Sequence, residues 1–255
     1  MDKKFLTEVI LLTKTYNLQD FKDWLNWHLN NIKFDHCHIF DNESFVDIKS
    51  VCDSYSDKVS YEKIIGWPNQ YSLYGKYINN KSKAWWVLPI DDDECLWMKN
   101  FNNVNDMILY YQSKWPDMCK LSIRWKNMFP TDPQADRGNK SLMEFCTKSN
   151  ETWASFFEGG NRPVKTFVKT TKSWNHTCFD GHNPDKSIYS YLCNGERLNE
   201  GHYRGPETDN DLKILHFQYK SKKEWINKCR TRFDAANASR RFYVSKYENI
   251  VDKLK

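Results

Sequence analysis

The sequence predicts an α/β protein, a single Rossmann-like domain whose mostly parallel central sheet is flanked by helices. Three observations carry this. From Phe5 to Tyr61 strand-like and helix-like segments alternate in the order β-α-β-α-β, which calls for a parallel sheet with right-handed crossovers. The apolar run Trp85–Ile90 has the length and composition of a buried strand. That run breaks directly into consecutive carboxylates, Asp91, Asp92, Asp93 and Glu94, at the strand end where open α/β sheets bind ligands.

Taken in order, Phe5–Thr13 reads as the first strand. Asn17 follows as an N-cap with Asp20 as its reciprocal partner, and Phe21, Leu25, His28 and Ile32 then recur at helical spacing. His36–Phe40 reads as a second strand closed by the turn Asp41-Asn42-Glu43-Ser44. Ser44–Tyr55 is expected as helix, Lys58–Tyr61 as strand and Gln70–Asn80 as helix feeding Trp85–Ile90. Asn102–Ser113 reads as helix, Met118–Trp125 as strand, Pro130–Gly138 as a polar turn region, and Glu144-Phe145 as part of a short helical segment. Val164–Val168, Lys186–Leu192 and Leu212–Phe217 read as strands, with the polar stretches Trp174–Asp185 and Asn194–Asp211 as loops. Trp225, Cys229 and Phe233 repeat every fourth residue and predict a helix, and Ala238–Lys255 a final one. No internal repeat or linker divides the chain.

Composition narrows the class. With 40% hydrophobic and 16% aromatic residues over 255 positions, a sizeable core can be built, and aromatic faces remain for sugar rings or bases. The formal charge of +5 suits an anionic ligand without calling for nucleic acid. The eight cysteines form no CxxC pair and no framework, which fits a reducing compartment. The start, MDKKFLTEVILL, has no long apolar core of a signal peptide, and no stretch reaches transmembrane length, so a cytoplasmic protein is expected (host cytoplasm if the source is viral).

Like charges between apolar blocks repel and are not simply buried, so the acidic tetrad needs a positive partner. A divalent cation is the obvious one, and hard oxygen ligands suit Mg²⁺ or Mn²⁺; an acidic turn facing solvent is the plainer reading, which the neighbouring Trp85, Trp86 and Trp97 weaken. The loop Thr13-Lys14-Thr15 leads into a helix N-terminus that favours anions. Asp41 reads either as a ribose or base contact or as an Asx-turn residue. His216 ends the last strand and is either a metal ligand beside Asp93 or a core histidine; Lys220 and Lys222 follow it as phosphate partners. Neither GxGxxG nor GxxxxGK[ST] occurs, so a dinucleotide fold or P-loop NTPase is not supported.

Together these pieces resemble the GT-A glycosyltransferases, in their family-2-like and family-92-like branch, whose members include proteins of large DNA viruses. The resemblance rests on Trp24–His28, on Ile39-Phe40-Asp41-Asn42-Glu43-Ser44, on the block Trp86–Cys95, and on the closing stretch His216–Glu224. Weaker matches lie at Arg124-Trp125, Glu144-Phe145 and Lys165. Departures are Thr15-Tyr16-Asn17 for an Asn-Glu pair, Cys95 for Phe and His216-Phe217 for His-Tyr.

The resemblance implies a GT-A domain over 1–255, with a nucleotide-binding half to about residue 97, an acceptor-side half to about 217 and C-terminal helices beyond. It implies a metal-dependent glycosyltransferase moving a hexose or pentose from a nucleotide-sugar, most often a UDP-sugar, to a glycan or glycoprotein, with no nucleic-acid partner. Asp91, Asp93 and His216 would hold Mn²⁺ or Mg²⁺, while Thr13, Lys14, Thr15, Asp41, Asp91, Asp92 and Lys220 would meet the nucleotide-sugar. An inverting reaction also needs a base, for which Glu144, Asp136 and Asp180 are candidates. His176 and Arg204 stand in late loops as further phosphate or acceptor contacts. Rival readings are a sugar nucleotidyltransferase and a non-catalytic glycan- or nucleic-acid-binding protein. Zinc held by Cys178 and His182 has no second ligand pair.

Overall fold

A computed structural model describes residues 2–66, 68–132, 134–149, 164–171, 190–198, 211–218, 220–231, 233–234 and 237–241. In order the elements are β1 (Phe5–Thr13), α1 (Leu18–Asn26, extended by a π-turn at Trp27–Asn31), β2 (His36–Asp41), α2 (Lys49–Asp53), β3 (Val59–Lys63), α3 (Gln70–Asn80), β4 (Ala84–Pro89) and β5 (Glu94–Met98). There follow α4 (Val104–Lys114), β6 (Lys120–Phe129), α5 (Leu142–Phe145), β7 (Lys148–Ser149), β8 (Val164–Lys169), β9 (Ser190–Leu192), β10 (Arg197–Leu198), β11 (Leu212–His216), α6 (Lys222–Thr231), β12 (Phe233–Asp234) and β13 (Asn237–Arg241).

The α/β class expected from the sequence is the one the chain adopts. The main sheet runs β10-β9-β6-β8-β4-β1-β2-β3. Its β3-β2-β1-β4 half is parallel throughout, and β8 enters antiparallel between β4 and β6. Strand alternation sends β1 side chains to two cores. Val9 and Leu11 meet Trp24 and Leu25 of α1 and Met107 and Ile108 of α4, while Ile10 meets Tyr74, Tyr77 and Ile78 of α3. Helices therefore cover both faces, as a parallel sheet requires.

Cap residues set the helix starts. Asn17 accepts from Gln19 N and Asp20 N, Asn69 from Ser72 N and Asn103 from Asp106 N. Asp20 does not complete the expected reciprocal cap; the Asn17 N–H donates to Thr15 Oγ1, which leaves the Asp20 carboxylate for ion pairs described below.

Several expectations change. Helix covers only Lys49–Asp53 of Ser44–Tyr55, because the preceding residues are tied into the β-strand loops: Asn42 N donates to Thr13 O, Phe45 N to Thr15 O, and Glu43 takes a φ of 56°. Glu94–Met98 is a strand that the sequence reading passed over; β11 pairs with it antiparallel and with β6 in parallel. At the C-terminal end, α6 stops at Thr231 and Phe233 begins a small hairpin with β13, so the fourth-residue repeat does not extend to Phe233 and helix does not begin at Ala238. The remainder of that predicted helix, and most of both late loops, lie outside the described residues. Among the described residues, no helix is long and apolar enough to cross a membrane.

His28 shows how tightly α1 is seated. Its Nδ1 lies 2.9 Å from Trp24 O and its Nε2 accepts from Leu96 N at 3.4 Å, while burial pushes its pKa down to about 3 from 6.5. The folded chain thus holds this ring neutral where an unfolded one takes a proton. Stability from His28 is complete above about pH 6.5 and is lost as pH falls toward 3. His28→Gln, which keeps a donor and an acceptor, is expected to flatten the acid limb by up to about 1.4 kcal/mol per pH unit in urea titrations. Equal slopes for the two proteins would contradict this.

Candidate functional site

The acid block forms the turn between β4 and β5, with Asp92 and Asp93 at its tip. Its backbone is pinned by α1. The Trp24 indole N–H donates to both Asp91 O and Glu94 O, at 3.1 and 2.9 Å, and the Trp27 indole N–H donates to Leu96 O at 2.7 Å. The tryptophans that brace the turn thus come from α1. Trp86 is buried in the core, but Trp85 is 43% exposed and points away from it.

The four carboxylates divide their tasks. Asp91 faces β8 and α3, accepting from Lys165 Nζ at 2.7 Å and Gln70 Nε2 at 3.0 Å. Glu94 is completely buried, accepts from Asp91 N at 2.8 Å and lies 3.3 Å from Lys165 Nζ. Burial pushes the Glu94 carboxyl up to about 8, with Lys165 opposing and Asp91 and Asp93 adding to the rise. Asp92 accepts from Thr13 Oγ1 at 2.8 Å and, with Asp93, lines a cleft at the carboxyl edge of the parallel strands. Thr15, Asn17 and Gln218 line the same cleft.

Sheet topology brings the distant residues to this place. In β11, His216 stands opposite Glu94 of β5 and Asn127 of β6. Its Nδ1 is 3.0 Å from Asn127 Oδ1, its ring packs on Trp125 at 4.1 Å, and its Nε2 is 3.7 Å from Asp93 Oδ1. Phe217 N, the next donor along, bonds Asp93 O at 2.7 Å. Lys220 reaches the cleft from the start of α6, with Nζ 3.1 Å from Asp20 Oδ2; the nearby Asp20, Asp92 and Asp93 hold its pKa up against burial. Ser221 and Glu224, quoted from sequence as part of a closing block, form a capping box for α6.

The remaining candidates divide by position. Thr15 lines the cleft and its backbone N–H donates to Ser44 Oγ at 3.1 Å, and Thr13 reaches the cleft through Asp92, whereas Lys14 lies over the Phe45 ring at 5.5 Å. Asp41 Oδ1 accepts from Ser44 N at 2.8 Å and Oδ2 from Tyr61 Oη at 2.6 Å, so it closes an Asx-turn. Glu144 is engaged in a capping box with Ser141, and exposed Asp136 lies 3.3 Å from Lys223 Nζ. Asp180, His176, Arg204, Cys178 and His182 lie outside the described residues.

Sequence reasoning missed Arg137. Buried in the turn-rich stretch after β6, it pairs with Asp20 at 2.7 Å and Glu224 at 2.6 Å, joining the first helix to the last one of the cleft. Nothing in a polar turn sequence marks one arginine as buried. Lys165 was visible only as a weak match, and its alternating strand VKTFV gives no hint of an inward-facing ammonium.

As to a metal, no group of three His, Cys, Asp or Glu residues among the described ones is arranged to hold an ion by itself. Asp93 and His216 do offer a carboxylate and an imidazole Nε2, both nearly buried and facing each other, with the imidazole oriented through its other nitrogen. Such a donor pair fits a cation that keeps water and takes phosphate oxygens, and an imidazole ligand suits a first-row transition ion such as Mn²⁺ better than Mg²⁺.

No family model matches this chain, and no curated protein matches it. Among solved structures, it overlays TarS 1–349 of S. aureus at 15% identity and a TM-score of 0.38, over 65% of this chain and 47% of that one. Another TarS structure, in complex with UDP-GlcNAc, overlays at 14% identity and 0.38, over 65% and 46%. The mannosyltransferase Ktr4p of S. cerevisiae overlays at 16% and 0.32, over 51% and 41%. The 4-diphosphocytidyl-2C-methyl-D-erythritol synthase of Anaerococcus prevotii overlays at 9% and 0.37, over 66% and 71%. The chain thus spans about half the length of the TarS structures it overlays. At these TM-scores the overlays carry no argument about function.

Lys165 answers the charge of Asp91 from inside the fold, and that of Glu94 once it ionises above about pH 8, so Lys165→Met is expected to lower stability by about 3 kcal/mol in urea unfolding at pH 9. Without the ammonium the Glu94 pKa rises further above 8, and the folded state must keep its proton to higher pH than the wild type does. The deficit should therefore grow as pH rises through about 8 and be smaller at pH 6. A deficit independent of pH would contradict the assignment.

Proposed function

We propose that this chain is a metal-dependent glycosyltransferase of GT-A type, taking a sugar from a nucleotide-sugar, UDP-linked by preference, to a glycan or glycoprotein acceptor. The observation that carries the reading is the cleft itself: Asp92, Asp93, His216 and Lys220 meet at the carboxyl edge of a parallel β-α-β sheet, beside the N-terminus of α1. That combination suits a diphosphate with its cation. The sequence resemblance in the acid block and in the closing His216–Glu224 stretch points the same way.

Asp93 and His216 would hold Mn²⁺ or Mg²⁺, which when bound neutralises the diphosphate and makes it a better leaving group. Asn127 keeps the His216 ring turned so that Nε2 faces Asp93. Lys220 places a second positive charge at the cleft for phosphate oxygens, and Arg137 relieves it by sharing Asp20. Asp92, fixed by Thr13, is positioned to accept from a sugar hydroxyl or a metal-bound water. Asp91 acts differently: held by Lys165, it keeps Lys165 charged at the back of the turn and can present its exposed side to the sugar.

In thermal melts, UDP with Mn²⁺ at a hundred times the dissociation constant is expected to raise the transition by about 5–10 °C. Asp93→Ala should abolish the shift, and UDP-sugar hydrolysis with it, while leaving the melting point of the ligand-free protein nearly unchanged. Pyrophosphate release from a nucleoside triphosphate and a sugar phosphate, with no response to any nucleoside diphosphate, would overturn the reading in favour of a nucleotidyltransferase.

A further inference from the structure

Arg137, Asp20, Glu224 and Lys220 form one ionic group where α1, the turn after β6 and the start of α6 meet. Asp20, Glu224 and Lys220 line the cleft together with Asp92 and Asp93. The Arg137 guanidinium pairs with both Asp20 oxygens, Nη1 at 2.7 Å from Oδ1 and Nη2 at 3.0 Å from Oδ2. It also donates from Nη2 and Nε to Glu224 Oε1, at 2.6 and 3.1 Å, and from Nη1 to Lys140 O at 2.9 Å. A planar fork engaged on so many sides is fixed in place. Lys220 approaches Asp20 differently. Its Nζ lies 3.1 Å from a single oxygen, Oδ2, which Arg137 also holds, and its side chain is 21% exposed against 7% for Asp20.

This asymmetry decides which partner can be exchanged. A buried carboxylate stripped of its counter-charge is costly, so a lysine that alone balanced Asp20 could not leave it for a ligand. Arg137 removes that restriction, because Asp20 keeps a cation on both oxygens wherever Lys220 turns. Asp20, Asp92 and Asp93 sustain the charge of Lys220 against burial, so the group stands at the cleft as an ammonium. Glu224 is anchored separately: its Oε2 accepts from Ser221 N and Oγ, at 3.1 and 2.8 Å, in the cap of α6.

We infer that Asp20 and a diphosphate compete for Lys220, and that Arg137 is the positioning residue that settles the competition in the ligand's favour by keeping Asp20 paired. The inference rests on the proposed function only in taking a diphosphate as the occupant of the cleft. It makes Arg137 a residue that sets affinity without touching the ligand.

Calorimetric titration of the full chain with inorganic pyrophosphate and Mg²⁺, repeated with UDP and Mn²⁺, tests it through charge-matched variants. Asp20→Asn and Glu224→Gln each remove one negative charge beside Arg137, and glutamine preserves the α6 cap. Asp20→Asn is expected to tighten both ligands about threefold or more, and Glu224→Gln to change them by less than about twofold. Arg137→Met is expected to weaken both about tenfold; adding Asp20→Asn should restore the affinity, whereas adding Glu224→Gln, which restores the same net charge, should not. The two single variants carry the test if Arg137→Met does not fold. Equal effects of Asp20→Asn and Glu224→Gln, an Arg137→Met deficit that Asp20→Asn leaves in place, or a wild type that binds no pyrophosphate would overturn the inference. The expected pattern with pyrophosphate in a protein indifferent to UDP would support it while removing the nucleotide-sugar reading; UDP bound with the pattern absent would do the reverse.

Discussion

Lys165 Nζ stands 2.7 Å from Asp91 Oδ2 and 3.3 Å from Glu94 Oε2, and the use made of the acid block depends on that contact. Four adjacent carboxylates repel one another, and a turn that placed them all in one cleft would be unstable without external charge. Here the outer pair is answered from within, by a buried lysine on β8. The inner pair, Asp92 and Asp93, is turned toward the cleft, where His216 and Lys220 supply the opposing polarity. The chain thus solves much of its electrostatic problem before any ion arrives. A carboxylate run answered in this way does not by itself require a divalent cation; the Asp93–His216 pair is what favours one.

Much of this was legible in the sequence, and the misses have physical causes. The strand before the acid block, the helix Gln70–Asn80 and the β-α-β order could be read because apolar periodicity and Asn caps are local signals. His216 could be set beside Asp93 only as one of two readings, from its place at the end of the last strand and from the resemblance; the pairing of β11 with β5 that brings them together is long-range, and β5 itself was unread because it begins with a carboxylate. Burial of Glu94, Lys165 and Arg137 runs against residue type and is fixed entirely by partners far along the chain. Phe233 continues a helical spacing but joins a hairpin, where pairing with β13 outweighs periodicity.

The fold sets two polar sites on opposite edges of one sheet. At the carboxyl edge, helix α1 does more than cover the core: Trp24, Trp27 and His28 fix the carbonyls and amides of the turn that carries Asp92 and Asp93. At the amino edge, Glu8 organises a buried hydrogen-bonded cluster with Tyr77, His36 and Ser82. Both rely on β1, whose alternating side chains serve the cores on the two faces of the sheet while its ends serve the two polar clusters.

The central claim is that the inner aspartates and the last-strand histidine form a cation-binding pair while the outer carboxylates belong to the protein's own charge balance. Anomalous diffraction at the manganese edge, from crystals soaked with Mn²⁺ and UDP, tests it most directly. The account predicts one peak in contact with the Asp93 carboxylate and His216 Nε2, with Asp91 still on Lys165. A peak bound instead by Asp91 and Glu94 with Lys165 displaced, or no peak in this cleft, would contradict it.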